Sequence, residues 1–348
     1  MSRFHYFLIK RSINIVVVIF STLVLTLALL GSAMDKILID SARYDVVNSI
    51  TQGKYKFQSL DERQKYINSQ IQLQVKILGL DEPWYSPKRF ANTLSKLATL
   101  DLGKSNFFTS DSGSSSVKDI ILEKMPRTIL LFTTSTVVVS IIGLYLGGFF
   151  ADRSGSVWDK GNSFIAVLSS SFPSWWVGML MIFAFAYLFH IFPARSTPLT
   201  PPSDPYYVLD LLYHMALPFI TLVIVSFSAW SYIVRYFLGG ILREDYILAK
   251  AAMGLPRRRI IYSHALKNAA PPILTSIVLS LAASFGGAII IEAVFDWPGM
   301  GKLYYDAISV MDIPIIIGIS YILTLIFVIT IFVTDIIYAY FDPRVKVG

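Results

Sequence analysis

Residue types that could carry acid–base, nucleophilic or metal chemistry are sparse and scattered in this sequence. Its four histidines, His5, His190, His214 and His264, form no H-E-x-x-H pair, and the chain has no cysteine. It contains no G-x-S-x-G nucleophile elbow and no G-x-x-x-x-G-K-[ST] phosphate loop. Disulfides, thiolate catalysis and cysteine-ligated metals are therefore excluded. We predict a protein that is not an enzyme and has no metal or cofactor site of its own.

Three ionisable residues stand close to long apolar runs: Arg235, Glu292 and Asp335. Charges deep in a bilayer usually mark functional sites, but these three lie near predicted helix ends, which favours anchoring or pairing. Arg235 and Asp335 fall at the same predicted level, and we hypothesise an ion pair between them. Glu292 and its neighbour Asp296 could meet the ammonium group of a substrate. Solvated loop carboxylates are the alternative.

The elements that position these residues are apolar runs. The 348-residue chain is 54% hydrophobic and only 15% charged, less charge than a soluble domain normally carries. About six runs are long enough to cross a bilayer. They are Ile13–Ala33, Thr128–Ala151, Phe164–Phe189, Met215–Leu238, Pro272–Ala293 and Ile313–Tyr340. The predicted fold is an all-α membrane protein with about six transmembrane helices.

Lysine and arginine concentrate on one side of these predicted spans. That side holds Arg3, Lys10, Arg11, Arg153, Lys160, Arg243, Lys250, Arg257, Arg258, Arg259, Lys267, Arg344 and Lys346. The two short loops of the opposite side hold only Arg195 and Lys302. The positive-inside rule therefore predicts a multi-pass protein of the plasma (cell) membrane with both termini in the cytoplasm. The first run superficially resembles a signal peptide, but its full-span length predicts a retained helix.

The chain divides into three predicted parts. Residues 1–34 hold an N-terminal transmembrane helix, residues 35–127 an extracytoplasmic subdomain, and residues 128–348 the membrane core. The middle part is too long for a plain connector. Two helices are predicted in it, Asp61–Leu78 and Pro87–Leu100, the first capped by its own initial aspartate. A mobile loop is the alternative for this part.

The basic loop 243–272 is predicted to hold two short helices that meet at a tight turn. Tyr246, Ala249, Ala252 and Met253 share one face of the first helix. The glycine that follows, Gly254, fits the left-handed position that ends a helix, and Pro256 prevents continuation. We call residues 245–266 the knob.

A run of three arginines, Arg257 to Arg259, begins the second helix of the knob. Positive charge at a helix N-terminus opposes the helix dipole, which suggests carboxylate or phosphate partners. A basic loop bound to lipid is the alternative. Alanines on the first helix would let another surface approach closely.

Prolines and tryptophans mark two other segments. Pro173 and Pro218 should each remove a backbone hydrogen bond and bend the third and fourth spans. A bend beside Trp175 and Trp176 could shape a path through the membrane, although both rings could equally face lipid. The segment 292–301, here called the outer turn, contains a constrained Trp-Pro-Gly-x-Gly run whose tryptophan could be an ordinary interfacial anchor.

These motifs together resemble the binding-protein-dependent ABC permeases, in particular the B-type permeases of the dipeptide/oligopeptide class. The stretches Arg243-Glu-Asp-Tyr-Ile-Leu-Ala-Lys-Ala-Ala-Met-Gly-Leu255, Arg258-Arg-Ile260 and His264-Ala-Leu-Lys-Asn-Ala269 look like the EAA loop of that family. The family pattern places Gly254 in the turn and Pro272 at the start of the next span. The glutamate that names the loop is replaced here, as it is in the peptide class.

The resemblance extends over most of the chain. Further motifs that look like family signatures are Leu78-Gly-Leu-Asp-Glu-Pro83, Leu100-Asp-Leu-Gly-Lys-Ser105, Met125-Pro-Arg-Thr128, Phe172-Pro-Ser-Trp-Trp-Val-Gly178, Glu292-Ala-Val-Phe-Asp-Trp-Pro-Gly-Met-Gly301 and Phe341-Asp-Pro-Arg344. The resemblance implies two sets of functional residues. ATPase coupling is implied for Asp245, Tyr246, Ala249, Lys250, Ala252, Gly254, Leu255, Arg258, His264 and Leu266. A translocation path or outer gate is implied for Phe172, Pro173, Trp175, Trp176, Glu292, Phe295, Asp296, Trp297, Gly299 and Gly301.

The resemblance also implies partners and a mode of action. These are a second homologous permease subunit, two cytoplasmic ATPase subunits that hold ATP and Mg, an extracytoplasmic solute-binding protein and the lipid bilayer, with no nucleic acid. The cargo expected is a di- or oligopeptide moved by alternating access, with oligosaccharides as the alternative. An ion-coupled secondary transporter would require mid-span charges and paired interrupted helices. A membrane-embedded enzyme would require a reactive constellation that this sequence does not display.

Overall fold

The computed structural model describes residues 3–341 apart from 53–56, 58, 78, 84 and 106. The helices are α1 (Arg3–Gln52), α2 (Leu60–Ile77), α3 (Pro87–Ala98), α4 (Val117–Asp152), α5 (Val157–Ser171), α6 (Ser174–Ile182), α7 (Tyr207–Ile241), α8 (Asp245–Ala252), α9 (Arg257–Arg259), α10 (Leu266–Ser284), α11 (Ile289–Phe295), α12 (Met300–Ser309) and α13 (Ile313–Phe341). The stretches Phe183–Leu188 and Ile260–Ala265 are π-helical. Apart from one isolated bridge between Lys104 and Ser116, regular structure in the described residues is helical, which confirms the all-α prediction.

Four described helices are long and apolar enough to cross a membrane. They are Val117–Asp152, Tyr207–Ile241, Arg257–Ser284 and Ile313–Thr334. The pair Val157–Ser171 and Ser174–Leu188 makes a fifth if it counts as one broken span. Six spans are therefore not confirmed within the described residues. The first predicted span lies in α1, many of whose side chains fall outside the described part, and the apolar stretch recognised there is the shorter Ser12–Ser21.

Two predicted spans differ from the helices observed. The third is broken by a 96° bend, because Phe172 and Pro173 adopt extended backbone between α5 and α6. The fifth begins earlier than predicted, so Pro272 lies inside α10 rather than at its start. Helices in membranes tolerate such prolines. The same span ends at Ser284 rather than at residue 293. The chain turns after Ser284, at Gly287, which has φ +64°. Pro218 lies inside α7, which continues past it.

The described chain falls into two compact units, residues 12–120 with 307–324, and residues 121–306 with the segments 3–11 and 325–341. In the first unit, Val46 and Ile50 of α1 pack against Ile67 and Ile71 of α2. The predicted helices α2 and α3 are confirmed. The cap of α2 was predicted two residues too late: the Ser59 hydroxyl accepts the backbone N–H of residue 62 at 3.1 Å.

The second unit is built around close contact between α4 and α7. Gly143 packs directly against the Trp230 ring, and a Cβ added at Gly147 would lie 2.6 Å from the Cβ of Val234. Small residues four apart let two membrane helices approach closely, which is how van der Waals contact holds helices together without a hydrophobic driving force. This contact holds α4 against α7, the helix that leads into the knob.

Candidate functional site

The knob consists of helix α8, a tight turn and the start of a second helix. Gly254 has φ +79°, a conformation that costs glycine little because it lacks a Cβ. The Leu255 N–H donates to the Lys250 carbonyl at 3.3 Å, and the Gly254 N–H donates to the carbonyl three residues earlier at 3.0 Å. These bonds form a Schellman motif. The predicted turn at Gly254 and the helix start after Pro256 are confirmed.

A single fully buried side chain anchors α8 to the rest of the unit. Ile247 packs in a cluster with Leu238 and Leu242 from the end of α7 and with Ile260 and Ile261 from the π-helical turn. The knob is thus packed against both the helix before it and the helix after it. A force applied to α8 would be transmitted to α7 and α10 together, because packed cores deform little.

The opposite side of α8 exposes apolar surface. Ala249, Ala252 and Met253, three members of the predicted face, are exposed, and so is Leu248. Leu248 and Met253 leave 58% and 76% of their surface uncovered. The fourth predicted member, Tyr246, is half-buried. Leu248 is in neither the predicted face nor the predicted coupling set, and its exposure adds it to this surface.

Basic side chains surround the exposed apolar surface. Arg257 is paired with Asp152 at the end of α4, with 2.6 Å between Nε and Oδ1. Arg258 is exposed and Lys250 is half-buried, and neither forms an ion pair within the described part of the chain. The remaining predicted coupling residues differ in burial: Asp245 and Gly254 are exposed, and Leu255, His264 and Leu266 are half-buried. The knob therefore presents an apolar surface edged by cations.

The outer turn is organised around one buried carboxylate. Glu292 is fully buried, and its Oε2 accepts the backbone N–H groups of Gly301 (2.8 Å) and Lys302 (3.2 Å), which begin α12. Its Oε1 accepts the Thr128 hydroxyl at 3.0 Å. A carboxylate at a helix N-terminus is stabilised by the unpaired N–H groups and by the helix dipole. Because burial dominates over these bonds, it raises the pKa of Glu292 to about 7.

This arrangement decides against both sequence interpretations of Glu292. The carboxylate is neither solvated nor available to an ammonium group, because its oxygens are engaged by the protein. Glycines make the close packing possible. A Cβ at Gly299 would collide with the Glu292 carboxylate and the Thr128 hydroxyl, and one at Gly301 would lie 3.0 Å from the Glu292 Cδ.

The aromatic residues of the outer turn are buried as well. Trp297 is fully covered and donates its Nε1–H to the Arg127 carbonyl at 3.0 Å, so it is not an interfacial belt residue. Phe295 is also fully covered, and it packs against Gly178 of α6, where a Cβ would lie 2.8 Å from its ring. Asp296 is half-buried with φ +56° and lies 3.2 Å from the Lys302 Nζ.

The two tryptophans of the broken third span differ in burial. Trp175 packs into the apolar cluster of the outer turn. Trp176 is exposed and stacks on Phe172, with 4.9 Å between ring centroids. Pro173 starts α6 without a side-chain cap. Trp175 is half-buried, and for both rings a role in the path or a lipid-facing position stays a prediction.

A buried polar cluster between α5 and α7 was missed by sequence reasoning. Arg235 pairs with the buried Asp159 at 2.6 Å between Nη2 and Oδ2. One turn away, the Asn162 Oδ1 accepts the hydroxyls of Ser228 and Ser231, each at 2.9 Å. The side chain of Asp335, the hypothesised partner of Arg235, lies outside the described part, so that pairing stays a prediction. The sequence did contain a signal for this cluster. Two polar residues, Asp159 and Asn162, lie three positions apart near the start of a helix that Ser156 caps, and that spacing places them on one helix face.

A cavity of about 420 Å³ lies between α4, α7 and α10. Its lining combines aliphatic and aromatic side chains with the hydroxyls of Ser135, Thr136, Ser140, Ser226 and Ser280. No ionisable residue is among the described residues that line it. The cavity is half-open, and its volume lies within the range of about 300–1,000 Å³ that is usual for small-molecule sites.

Comparison with known proteins identifies the family. Residues 140–347 match the family described as "Binding-protein-dependent transport system inner membrane component". The Oligopeptide transport system permease protein AppB of Bacillus subtilis (strain 168) is 27% identical over 268 residues, which cover 77% of this chain and 82% of AppB. The Dipeptide transport system permease protein DppB of Alkalihalophilus pseudofirmus is 32% identical over 286 residues, 77% of this chain and 84% of that protein. A putative peptide permease protein of Brucella suis is 32% identical over 273 residues, 78% and 82% of the two chains. The chain therefore belongs to the binding-protein-dependent ABC permeases, the inner-membrane components of importers, as its motifs predicted.

Proposed function

We propose that this permease moves di- or oligopeptides that an extracytoplasmic solute-binding protein delivers. The curated relatives are named as oligopeptide and dipeptide permeases, which supports a peptide cargo over an oligosaccharide. The complete importer would contain a second homologous permease subunit and two cytoplasmic ATPase subunits, which bind ATP and Mg. ATP-driven closure of the ATPases would switch the permease pair between outward-open and inward-open states.

The coupling role is supported by the exposed apolar surface of α8, a helix that is anchored firmly to its neighbours through Ile247. Leu248 and Met253 would cost free energy if they stayed in water, at about 25 cal/mol per Å² of apolar surface. Exposed apolar residues grouped within a polar rim are typical of a protein interface. A short helix laid into a groove of the ATPase subunit would cover them. The cations Lys250 and Arg258 would face carboxylates at the edge of that groove.

The charge pattern supports a cytoplasmic location for the knob. The ion pair between Arg257 and Asp152 brings the knob to the end of α4, next to Arg153. Lys and Arg on this side, and few on the other, favour cytoplasmic termini and an extracytoplasmic subdomain over residues 35–127. In this orientation the outer turn lies on the side where a solute-binding protein would dock.

The outer turn would act as a rigid block rather than as a substrate site. Glu292 ties α11 and α12 to α4, and Phe295 ties α11 to α6 through Gly178. Movement of α6 would therefore carry the outer turn with it. Among the proposed gate residues, Phe172 and Trp176 are the exposed pair and hence the ones able to contact cargo or a partner subunit.

The test is copurification followed by reconstituted uptake. The tagged chain is extracted in mild detergent, and mass spectrometry asks whether ATPase subunits and a second permease accompany it. Met253→Glu should release the ATPases, whereas Met253→Leu should retain them, because only the first places a charge in the apolar contact. A native chain that is stable without any ATPase would refute the importer assembly.

Cargo is tested in proteoliposomes with the binding protein, ATP and labelled solutes. ATP-dependent uptake of tripeptides, absent with the Met253→Glu complex, is the expected result. Uptake of oligosaccharides in place of peptides would overturn the proposed cargo and leave the ABC permease assignment intact.

A further inference from the structure

In the cavity between α4, α7 and α10, hydrogen-bond acceptors lie on one helix and hydrogen-bond donors lie on the other two. On the α4 side, the hydroxyl protons are already used. Ser135 donates to the Leu131 carbonyl at 2.7 Å, and Thr136 and Ser140 donate to the carbonyls four residues before them, each at 2.8 Å. A hydroxyl has one proton and two lone pairs. The lone pairs of the three groups are the acceptors on α4; Thr136 is half-buried, and Ser135 and Ser140 leave 4% and 8% of their surface uncovered.

The other walls offer donors. Ser226 of α7 and Ser280 of α10 line the cavity, and neither hydroxyl has a hydrogen-bond partner within the described part of the chain. Their protons remain available. The indole Nε1–H of Trp230 is not available as a donor, because it already donates to the Ser140 carbonyl at 3.3 Å. Trp230 therefore contributes apolar ring surface to the cavity and no donor.

We propose that this cavity is the part of the translocation path contributed by this chain, and that it recognises the peptide backbone rather than the side chains of the cargo. Peptide N–H groups would bond to the acceptors of Ser135, Thr136 and Ser140, and peptide carbonyls would accept from Ser226 and Ser280. A peptide backbone carries one N–H donor and one carbonyl acceptor per residue. The donors would match the acceptors on α4, and the carbonyls would match the donors on α7 and α10. The inference rests on the proposed peptide cargo.

The absence of charge from the described lining has a second consequence. No fixed charge would hold a terminal ammonium, a terminal carboxylate or a charged side chain, so peptides of different charge should pass at similar rates. Strong ionic binding would also slow release, because desolvated ion pairs are expensive to separate. A neutral polar wall binds each peptide group weakly and suits movement through the cavity.

The experiment measures uptake of a labelled tripeptide and of the same tripeptide methylated at its central backbone nitrogen. Both are assayed in proteoliposomes that hold the complete importer and its binding protein. The acceptor wall is removed by the triple variant Ser135→Ala, Thr136→Val and Ser140→Ala. Ser170→Ala is the matched control, because this hydroxyl also donates to the carbonyl four residues back but does not line the cavity.

The triple variant should lower kcat/KM for the parent tripeptide about tenfold, since each lost hydrogen bond contributes modestly. It should also make the penalty that N-methylation imposes on uptake smaller than it is in the native importer. The binding protein's own preference between the two peptides cancels when the two penalties are compared, because it is the same for the native importer and for the triple variant. Copurification of the ATPases and the thermal midpoint should match those of Ser170→Ala, which excludes a folding defect.

A second variant tests the cavity by a gain of selectivity. Ser226→Asp should raise uptake of a lysine-containing tripeptide over a glutamate-containing one at least severalfold, from a ratio near one in the native importer. Native uptake of both peptides with no change in Ser226→Asp, or an N-methylation penalty that is equal in the native importer and the triple variant, would overturn the cavity assignment while leaving peptide transport intact. Failure of the native importer to take up any peptide would instead overturn the proposed cargo.

Discussion

The Glu292 carboxylate offers the sharpest test of how the outer turn is held together. Glu292→Ala removes the acceptor for the Gly301 N–H, the Lys302 N–H and the Thr128 hydroxyl, which lie 2.8, 3.2 and 3.0 Å from it. Glu292 is fully buried, so water does not replace the lost acceptor without a rearrangement. Each buried donor left without a partner costs about 1–3 kcal/mol.

The expected loss is about 3–5 kcal/mol, which allows one of the three donors to find another acceptor. Glu292→Gln is the control, because its amide oxygen still accepts the two backbone N–H groups of α12. At about pH 5, below the raised pKa of Glu292, the amide replaces a protonated carboxyl group and loses only the ordered bond to Thr128, so we expect a change of about 1 kcal/mol. The predicted difference between the two variants is at least about 2 kcal/mol.

The assay is a thermal melt in detergent followed by intrinsic tryptophan fluorescence. Trp297 lies five residues from the mutated position, is fully buried, and reports local opening directly. One kcal/mol corresponds to about 2–4 °C for a folded unit of roughly 150–250 residues. Glu292→Ala should therefore melt at least about 6 °C below the native chain, and Glu292→Gln within about 4 °C of it. Equal midpoints for the two variants would show that the carboxylate does not hold the start of α12.

Three other predictions use the same melt. Burial raises the pKa of Glu292 from 4.5 to about 7, so the folded state keeps a proton that the unfolded state loses; the free energy of unfolding should fall by about 3 kcal/mol relative to Glu292→Gln as pH rises through this window. Gly147→Ala should cost about 1–3 kcal/mol by overpacking against α7, whereas Gly239→Ala, with no atom within 4 Å of its added Cβ, should be neutral or slightly stabilising. Arg235→Ala should cost about 3–5 kcal/mol by leaving Asp159 buried without a counter-charge, and adding Asp159→Asn should recover part of that loss.

Each of these has an outcome that contradicts it. A pH-independent difference between the native chain and Glu292→Gln would mean that the carboxylate does not titrate in this window. Equal effects of alanine at residues 147 and 239 would mean that α4 and α7 are not in tight contact. Additive losses at Arg235 and Asp159, with no recovery in the double variant, would mean that the two side chains act independently.

Features set by neighbouring residues could be predicted from the sequence. The helices α2 and α3, the Gly254 turn with Pro256 after it, and the break at Pro173 follow from local patterns of polarity and from backbone restrictions of glycine and proline. The family also followed from motifs in order along the chain. A local rule failed at Pro272. Proline was expected at the start of the fifth span, but the helix begins earlier, at Leu266, and continues through Pro272.

Features that depend on distant residues could not be predicted in this way. From the sequence, Glu292 was interpreted as a loop carboxylate. Its contacts with Thr128 and with the start of α12, which depend on the tertiary structure, show that it is a buried structural group. Arg235 lies 76 residues from its partner Asp159, and no periodicity links them. The sequence by itself determined where the helices, turns and positive charges lie, because those depend on near neighbours and on the membrane. Tertiary structure alone decided which polar groups are buried together and which remain exposed, because burial depends on helix packing between residues far apart in the chain.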